Sequence, residues 1–437
     1  MQTMDRLKAR VARWPYILIS LMAALASFGT YTCMYAFRKA FAAGTYAGHQ
    51  YFHIDYKVWL VMAQVLGYTI SKFYGIRFIA EIKPGSRAKS ILMLIGISWL
   101  ALLGFALIPP PFNIVMLLIN GFPLGMIWGL VFSYLEGRRS TEFMASVMSV
   151  SLIFASGFVK TAGRILIEGF HVDEYLMPFS TGALFVVPLL LFVFCMELMP
   201  APTVEDQRLR AERVPMSAAE RMDFLLRFLP GIMLTVVIYV LLTMMRDIRD
   251  NFEVEIWAGL GIKDNGIYTH IDTIVSVVVL MAISLLILIR NNLLAFSVIH
   301  VMIICGCILA GLSTVLFNLQ IIGPESWMTL AGLGLYLGYV PYNAIFFERM
   351  IASFNYKSNV GFVMYIADAM GYLGSISVLL IKELVKPGIS WELFFRHGLL
   401  ILSFAGVLSG LLSLVYFLQT AHRRKKKRIN LIFLPHE

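Results

Sequence analysis

Apolar runs of about 20 residues recur from one end of this 437-residue chain to the other, each long enough to cross a hydrocarbon core of roughly 30 Å as a helix. No other feature restricts the fold as much, because a spanning segment must satisfy its backbone groups internally and only helices and closed barrels do so. The runs fall at 15–41, 56–80, 89–109, 112–135, 143–168, 175–199, 228–250, 265–289, 293–318, 326–348, 358–382 and 392–419. They predict an all-α membrane protein with twelve transmembrane helices. Apolar residues make up 59% of the chain and charged ones 14%, outside the range of a soluble globular protein. The gaps are too short for a large water-soluble domain.

The formal charge of +10 raises the question of nucleic acid, and its distribution answers against it. Basic residues occupy alternate loops: Arg6, Lys8, Arg10 and Arg13, then Lys83, Arg87 and Lys89, then Arg138 and Arg139, then Arg208, Arg210, Arg213 and Arg221. The loops between these lack them. Lys263, Lys382 and Lys386 weaken the pattern in the second half, but the closing run Arg423 to Arg428 is wholly basic. The positive-inside rule then puts both termini and the central loop in the cytoplasm, in a cytoplasmic (inner) membrane, with the segment after the first span outside. The basic tail is expected to attract anionic lipid. An early Ala24-Leu25-Ala26 resembles a signal cleavage site, but the apolar run continues to Phe37, so the first span reads as retained.

The clearest boundary is the polar, charge-rich stretch Pro200 to Asp223. It divides the chain into a first bundle of six helices at 1–200, a connector at 201–223 and a second bundle at 224–437 with the basic tail. Equal halves joined this way are what internal duplication of a transporter leaves. Phe37-Arg38-Lys39-Ala40-Phe41 is echoed by Ile248-Arg249-Asp250-Asn251-Phe252; a second register pairs Tyr31 and Arg38 with Tyr239 and Arg246. Both registers stay open at this point.

Ionisable residues inside spans are costly in lipid and mark functional sites by default. Tyr31, Tyr35 and Arg38 share a helical face, and Gln64, Tyr68 and Lys72 form a second stripe at intervals of four. Forked guanidinium donors suit carboxylate or phosphate, so Arg38, Lys72 and Arg246 are candidate substrate contacts, with Tyr35, Tyr68, Tyr339 and Asn343 beside them. The alternatives are that Arg38 and Lys39 snorkel to a membrane edge and that Arg246 and Asp250, four apart, neutralise each other. Asp368, ten residues into its span, and Asp250 are candidates for coupling or counter-ion roles. His270 and Asp272 read as a wetted helix end. Lys160 is expected to face a cavity and Arg164 the headgroups. The glycines at 121, 125 and 129, and at 406 and 410, read as close-packing faces. Cys33, Cys195, Cys305 and Cys307 show no zinc or disulfide spacing. No nucleotide loop, metal motif or nucleophile elbow occurs, and no cofactor is expected.

The residues resemble a known family. Twelve helices in two pseudo-symmetric six-helix bundles are similar to the major facilitator superfamily, and four motifs resemble its organophosphate:phosphate antiporter branch: Phe37-Arg38-Lys39-Ala40-Phe41, Gly67-Tyr68 with Ser71-Lys72-Phe73, Arg246, and Met370-Gly371-Tyr372-Leu373-Gly374. Phe154 stands where that branch has a histidine. The resemblance implies a major facilitator fold, a central cavity opening alternately to each side, and Arg38, Lys72 and Arg246 as the phosphate-facing cations. The expectation is therefore a secondary transporter, not an enzyme, that moves a small organic anion, phosphorylated or carboxylated. It would act as an antiporter or symporter and as a monomer. A transporter of a zwitterion or peptide, using Asp250 and Asp368 for an amine, is the alternative within the fold, and a non-transporting receptor the alternative outside transport.

Overall fold

The computed structural model describes residues 2–82, 84–203, 205–206, 218–354, 360–385 and 388–432. Of the basic residues singled out above, Lys83, Arg208, Arg210, Arg213 and Lys386 lie outside the described residues, as do the side chains of the basic run from Arg424 onward. A short helix, α1 (Gln2–Val11), precedes six long ones: α2 (Tyr16–Arg38), α3 (Tyr56–Glu81), α4 (Arg87–Leu107), α5 (Ile114–Leu135), α6 (Thr141–Glu168) and α7 (Met177–Glu197). Six helical passages follow: α8 (Ala218–Gly259), α9 (Ile267–Ile287), α10 (Asn292–Asn318), α11 (Pro324–Pro341) continued through a π turn (Tyr342–Phe346) into α12 (Phe347–Ser353), α13 (Val360–Val385) and α14 (Trp391–Ile432). Each predicted span is matched by a helical passage. Among the described residues nine helices are long and apolar enough to cross a membrane, making this an integral, multi-pass membrane protein. α3 falls short of that measure because its polar stripe, Gln64, Tyr68, Ser71 and Lys72, lowers its mean hydropathy. Strand structure among the described residues is confined to a two-residue hairpin, Gln50–Tyr51 (β1) with Ile54–Asp55 (β2).

Two compact contact units divide the chain, one of Met1–Ala211, Arg246–Met281 and Ser375–Phe395, the other of Glu212–Met245, Ala282–Gly374 and Arg396–Glu437. The first unit therefore gathers α1 to α7 with parts of α8, α9, α13 and α14. Its tightest seam joins α3 to α5, where glycines stand in for side chains: a Cβ at Gly121 would strike the Gln64 carbonyl, and one at Gly125 would lie 2.6 Å from the Ser71 hydroxyl. In the second unit a Cβ at Gly306 would meet the Gly334 carbonyl at 2.6 Å, and one at Gly406 the Cys307 sulfur at 2.8 Å. These faces are the close helix contacts that small residues allow in lipid.

α2 stops at Arg38 because Lys39 leaves helical geometry (φ −110°, ψ −4°) and a buried 3-10 turn, Ala40–Ala43, follows. A helix end buried in protein needs partners for its last carbonyls. Gln64 Nε2 donates to the Arg38 carbonyl at 2.6 Å, and Asn120 Nδ2 to the Phe37 carbonyl at 2.9 Å. Gln64 also donates to Asn120 Oδ1 at 2.8 Å, and the Ser98 hydroxyl to the Asn120 carbonyl at 2.7 Å. The buried amides of α3 and α5 thus hold the break that presents Arg38.

At the opposite end of α2, Tyr16 bonds the Ser140 hydroxyl at 2.8 Å and lies under the Arg139 guanidinium at 3.7 Å. Asp206 ties this corner to the connector, accepting from the backbone N–H of Arg139 and of Thr203, each at 3.0 Å, and from the Thr203 hydroxyl at 2.9 Å. Burial acts to raise the Asp206 pKa, but these hydrogen bonds and the charge of Arg138 outweigh it and hold the carboxyl below its ordinary 3.8. A depressed carboxyl contributes stability that is complete above the unfolded value and lost as pH falls through the folded one. Asp206→Asn is therefore expected to lower the unfolding temperature at neutral pH and to flatten its decline below about pH 4, as read by thermal unfolding across a pH series.

Candidate functional site

The candidate residues from α2 and α3 come together inside the first unit. Arg38 and Lys39 are 9% and 4% exposed, so neither snorkels to a membrane edge. The Arg38 guanidinium carbon lies 4.0 Å from the Tyr68 ring centre and 5.6 Å from that of Tyr35, with Lys72 Nζ 5.2 Å from Tyr68. Tyr31 stands 5.6 Å from Tyr35 and meets Trp128 edge-on at 4.9 Å. Cation and ring faces attract through the ring quadrupole, which suits a guanidinium held among phenols. Arg246 and Asp250 belong to the same unit as Arg38 and Tyr35.

Arg246 bonds a carboxylate nearer in sequence than Asp250. Its Nη2 and Nε reach the adjacent carboxylate of Asp247 at 2.5 and 3.2 Å, and the second oxygen of Asp247 accepts from the Ser375 hydroxyl at 2.6 Å. Asp250 accepts through its backbone carbonyl from Lys160 Nζ at 3.2 Å and bonds Ser156 at 3.4 Å.

Beyond these candidates lies a charged seam that the sequence reading largely missed. Lys160 pairs with Glu253, both fully buried. Arg249 pairs with Asp272 at 2.8 Å and lies 3.6 Å from Glu253, all three fully buried. Lys57 pairs with Glu255 at 2.5 Å, Lys39 donates to Asn251 at 2.7 Å, and Lys382 donates to Glu383 at 2.7 Å. Asp272, expected at a wetted helix end, is instead 0% exposed because Arg249 accompanies it inside the protein. Lys160, expected to face a cavity, is held by Glu253 in the packed interior. Arg164 pairs with Glu168, one turn away on α6. The spacing of Arg249 and Glu253, four apart, was the available signal.

Among the described residues of this unit, the buried cations Arg38, Lys39, Lys57, Lys160, Arg246, Arg249 and Lys382 are accompanied by the buried carboxylates of Asp247, Asp250, Glu253, Asp272 and Glu383 and by the partly exposed Glu255. Burial of so many ions is tolerable only with close pairing and hydrogen bonding.

The remaining candidates lie in the second unit, described by itself. Asp368, 7% exposed, accepts from the Tyr239 hydroxyl. Tyr239 stacks on Tyr339 at 5.4 Å and meets Tyr342 edge-on at 5.3 Å. Asn343 follows within the π turn, its Nδ2 among the buried groups with no hydrogen-bond partner. Pro341 cannot donate to the Leu337 carbonyl, which explains why helical bonding is disturbed there. Among the described residues no group of three or more His, Cys, Asp or Glu is arranged to hold a metal ion.

Several solved structures share this architecture. A D-xylose-proton symporter matches at 17% identity, covering 91% of this chain and 97% of that one, with a TM-score of 0.58. The nucleoside transporter NupG matches at 14% identity over 91% and 99% (TM-score 0.57), and the xylose transporter XylE from E. coli at 14% over 91% and 95% (TM-score 0.57). At such identities the likeness establishes the fold, the all-α major facilitator fold expected from the sequence. No match was found among proteins of curated function. The sequence profile of the family described as "Family of unknown function (DUF5690)" matches residues 40–420, most of the chain, and this protein is therefore a member of that family.

Proposed function

We propose that this protein is a secondary transporter that moves a small organic anion, phosphorylated or carboxylated, across the cytoplasmic membrane by alternating access. The observation that carries the reading is the buried Arg38 guanidinium, set on the rings of Tyr68 and Tyr35 beside Lys72. Permanently charged forked donors in a partly desolvated site favour an oxyanion over a neutral solute. The fold supports transport in general, since similar structures are named for a proton-coupled sugar symporter and a nucleoside transporter. In this reading Arg38, Lys72 and Arg246 contact the anion, Tyr35 and Tyr68 line its path, and Asp250 takes part in coupling. The halves at 1–200 and 224–437 act as the two moving bundles, and the buried ion pairs seal one end of the path. The protein works as a monomer without a cofactor, and its tail attracts anionic lipid.

Uptake of a labelled organic phosphate or dicarboxylate into proteoliposomes, with competing solutes, tests the substrate class. Phosphorylated or carboxylated solutes should compete and neutral sugars should not; the absence of any anion competitor would sink this class. A zwitterion or peptide remains the second reading, because the pairing of Asp368 with Tyr239, beside Tyr339 and Tyr342, offers a carboxylate within an aromatic setting that suits an amine. Amino compounds competing better than anions would favour it. Binding without uptake would point to a receptor.

The orientation is tested on the hairpin loop. Gly48 is a poor place for a reporter cysteine because its backbone has φ +90°, whereas Ala47 is exposed in the same loop. Ala47→Cys should react with an impermeant maleimide in intact cells. Protection until the cells are opened would reverse the topology.

A further inference from the structure

Between α2, α6 and α7 the first unit contains a crevice of about 470 Å³, separate from the charged seam. Its walls include the rings of Phe28, Phe154, Phe158 and Phe192, with Phe154 and Phe158 stacked at 5.3 Å and Phe28 5.7 Å from Phe154. Phe154 and Phe158 are one turn apart on α6, so the ring wall follows the helix axis. The crevice is open at its rim: Leu184 is 58% and Phe158 38% exposed. The exposed surface of α7 continues outward as Val187 (74%) and Leu191 (58%). On a chain that crosses a bilayer, a broad surface of exposed aliphatic side chains faces hydrocarbon, so the crevice opens to lipid.

Two features of the walls call for a ligand with a polar group on an apolar body. Thr32, 6% exposed, lines the crevice, and its hydroxyl has no hydrogen-bond partner. Pro188, also in the wall, has no N–H, so the Leu184 carbonyl receives no bond from that position. A buried hydroxyl left unmatched is costly. Ordered water, which needs two to four polar partners, is poorly served among phenylalanine rings. Thr32 lies past the midpoint of α2, roughly 9 Å of helix rise before Arg38.

We propose that this crevice holds one acyl chain of a bilayer lipid, with the Thr32 hydroxyl donating to the lipid's ester carbonyl. The inference stands apart from the transport reading, because none of the crevice residues belongs to the proposed anion path. It assigns a use to Phe154: an aromatic wall for a chain, where the resembling transporters carry a histidine.

The test uses the full chain purified in detergent and equilibrated with phosphatidylcholine bearing a diazirine in its acyl chain, followed by irradiation and peptide mapping. Adducts should concentrate on the segments containing residues 28–33, 154–162 and 184–192. Thr32→Val, which keeps shape and removes the hydroxyl, should lower crevice labelling about 2- to 10-fold, the affinity equivalent of one hydrogen bond. Leu184→Trp, which obstructs the rim, should lower it further, and labelling elsewhere on the apolar surface should stay constant in both. Adducts spread evenly over the exposed apolar faces of the wild-type protein would overturn the proposal. So would crevice labelling that persists undiminished in both variants. The wild-type map decides even if a variant fails to fold.

Discussion

Arg38→Lys is expected to reduce anion uptake by about 10- to 100-fold while leaving folded protein in the membrane, because lysine keeps the charge and loses the fork. One charge-assisted hydrogen bond is worth about 1.5–3 kcal/mol, and each 1.4 kcal/mol is a factor of ten. Lysine also forfeits the flat contact of the guanidinium with the Tyr68 ring at 4.0 Å. The carbonyl of residue 38 keeps its bond from Gln64 whatever side chain stands there, so the helix break should survive. Arg246→Lys should act in the same direction, but Asp247 beside it requires a control. Neutralising Arg246 and Asp247 together removes the pair without stranding a charge. If that double variant transports normally, Arg246 serves structure alone. If Arg38→Lys transports normally, the proposed anion contact does not exist.

The largest effect on stability is expected at Lys160 and Glu253, the fully buried pair joining α6 to α8. Removing one member of a buried pair leaves the other charge unsolvated and costs about 3–5 kcal/mol. Lys160→Met should therefore lower the unfolding temperature sharply, and so should Glu253→Gln. The double replacement should recover most of the loss, since no charge is then stranded. Thermal unfolding of the four proteins in one detergent gives the coupling directly. Additive losses in the double variant would show that the pair is not the unit holding this seam together.

Hydropathy and charge spacing made the twelve passages legible to within a few residues in most cases: 56–80 against Tyr56–Glu81, and 143–168 against Thr141–Glu168. The seventh was read too short. Its run Arg246-Asp247-Ile248-Arg249-Asp250-Asn251-Phe252-Glu253-Val254-Glu255 looks like a helix leaving the membrane, yet the helix continues, with a kink at Phe252, to Gly259. Its charges find partners in Lys57, Lys160 and Asp272, all distant in sequence, so hydropathy along a single segment could not reveal that they are buried. The aromatic setting of Arg38 was legible because Tyr35, Tyr68 and Lys72 follow helical periodicity. The bond from Arg246 to Asp247 was not: adjacent residues usually diverge on a helix, and the long side chain folds back to its neighbour. The two echoing motifs meet through Lys39 and Asn251, and helical geometry lapses at Lys39 in one and Phe252 in the other. This places the breaks nearer the Arg249 register than the Arg246 register.

The π turn at Tyr342–Phe346 has a consequence for how length changes in this chain would be felt. A wide turn accommodates one residue more than regular helical winding, and each residue turns the helix by about 100°. Excising a single residue from 342–346 would let the passage wind regularly with everything after it near its present azimuth, because the wide turn already absorbs the extra residue within one revolution. Phe347 and Met350 would stay on their packing face and Arg349 within reach of Asn292, whereas excising a residue from the regular helix Pro324–Pro341 would rotate all three by about 100°. The wide turn thus acts as a phase correction, setting the azimuth at which the last two turns of the passage meet their neighbours.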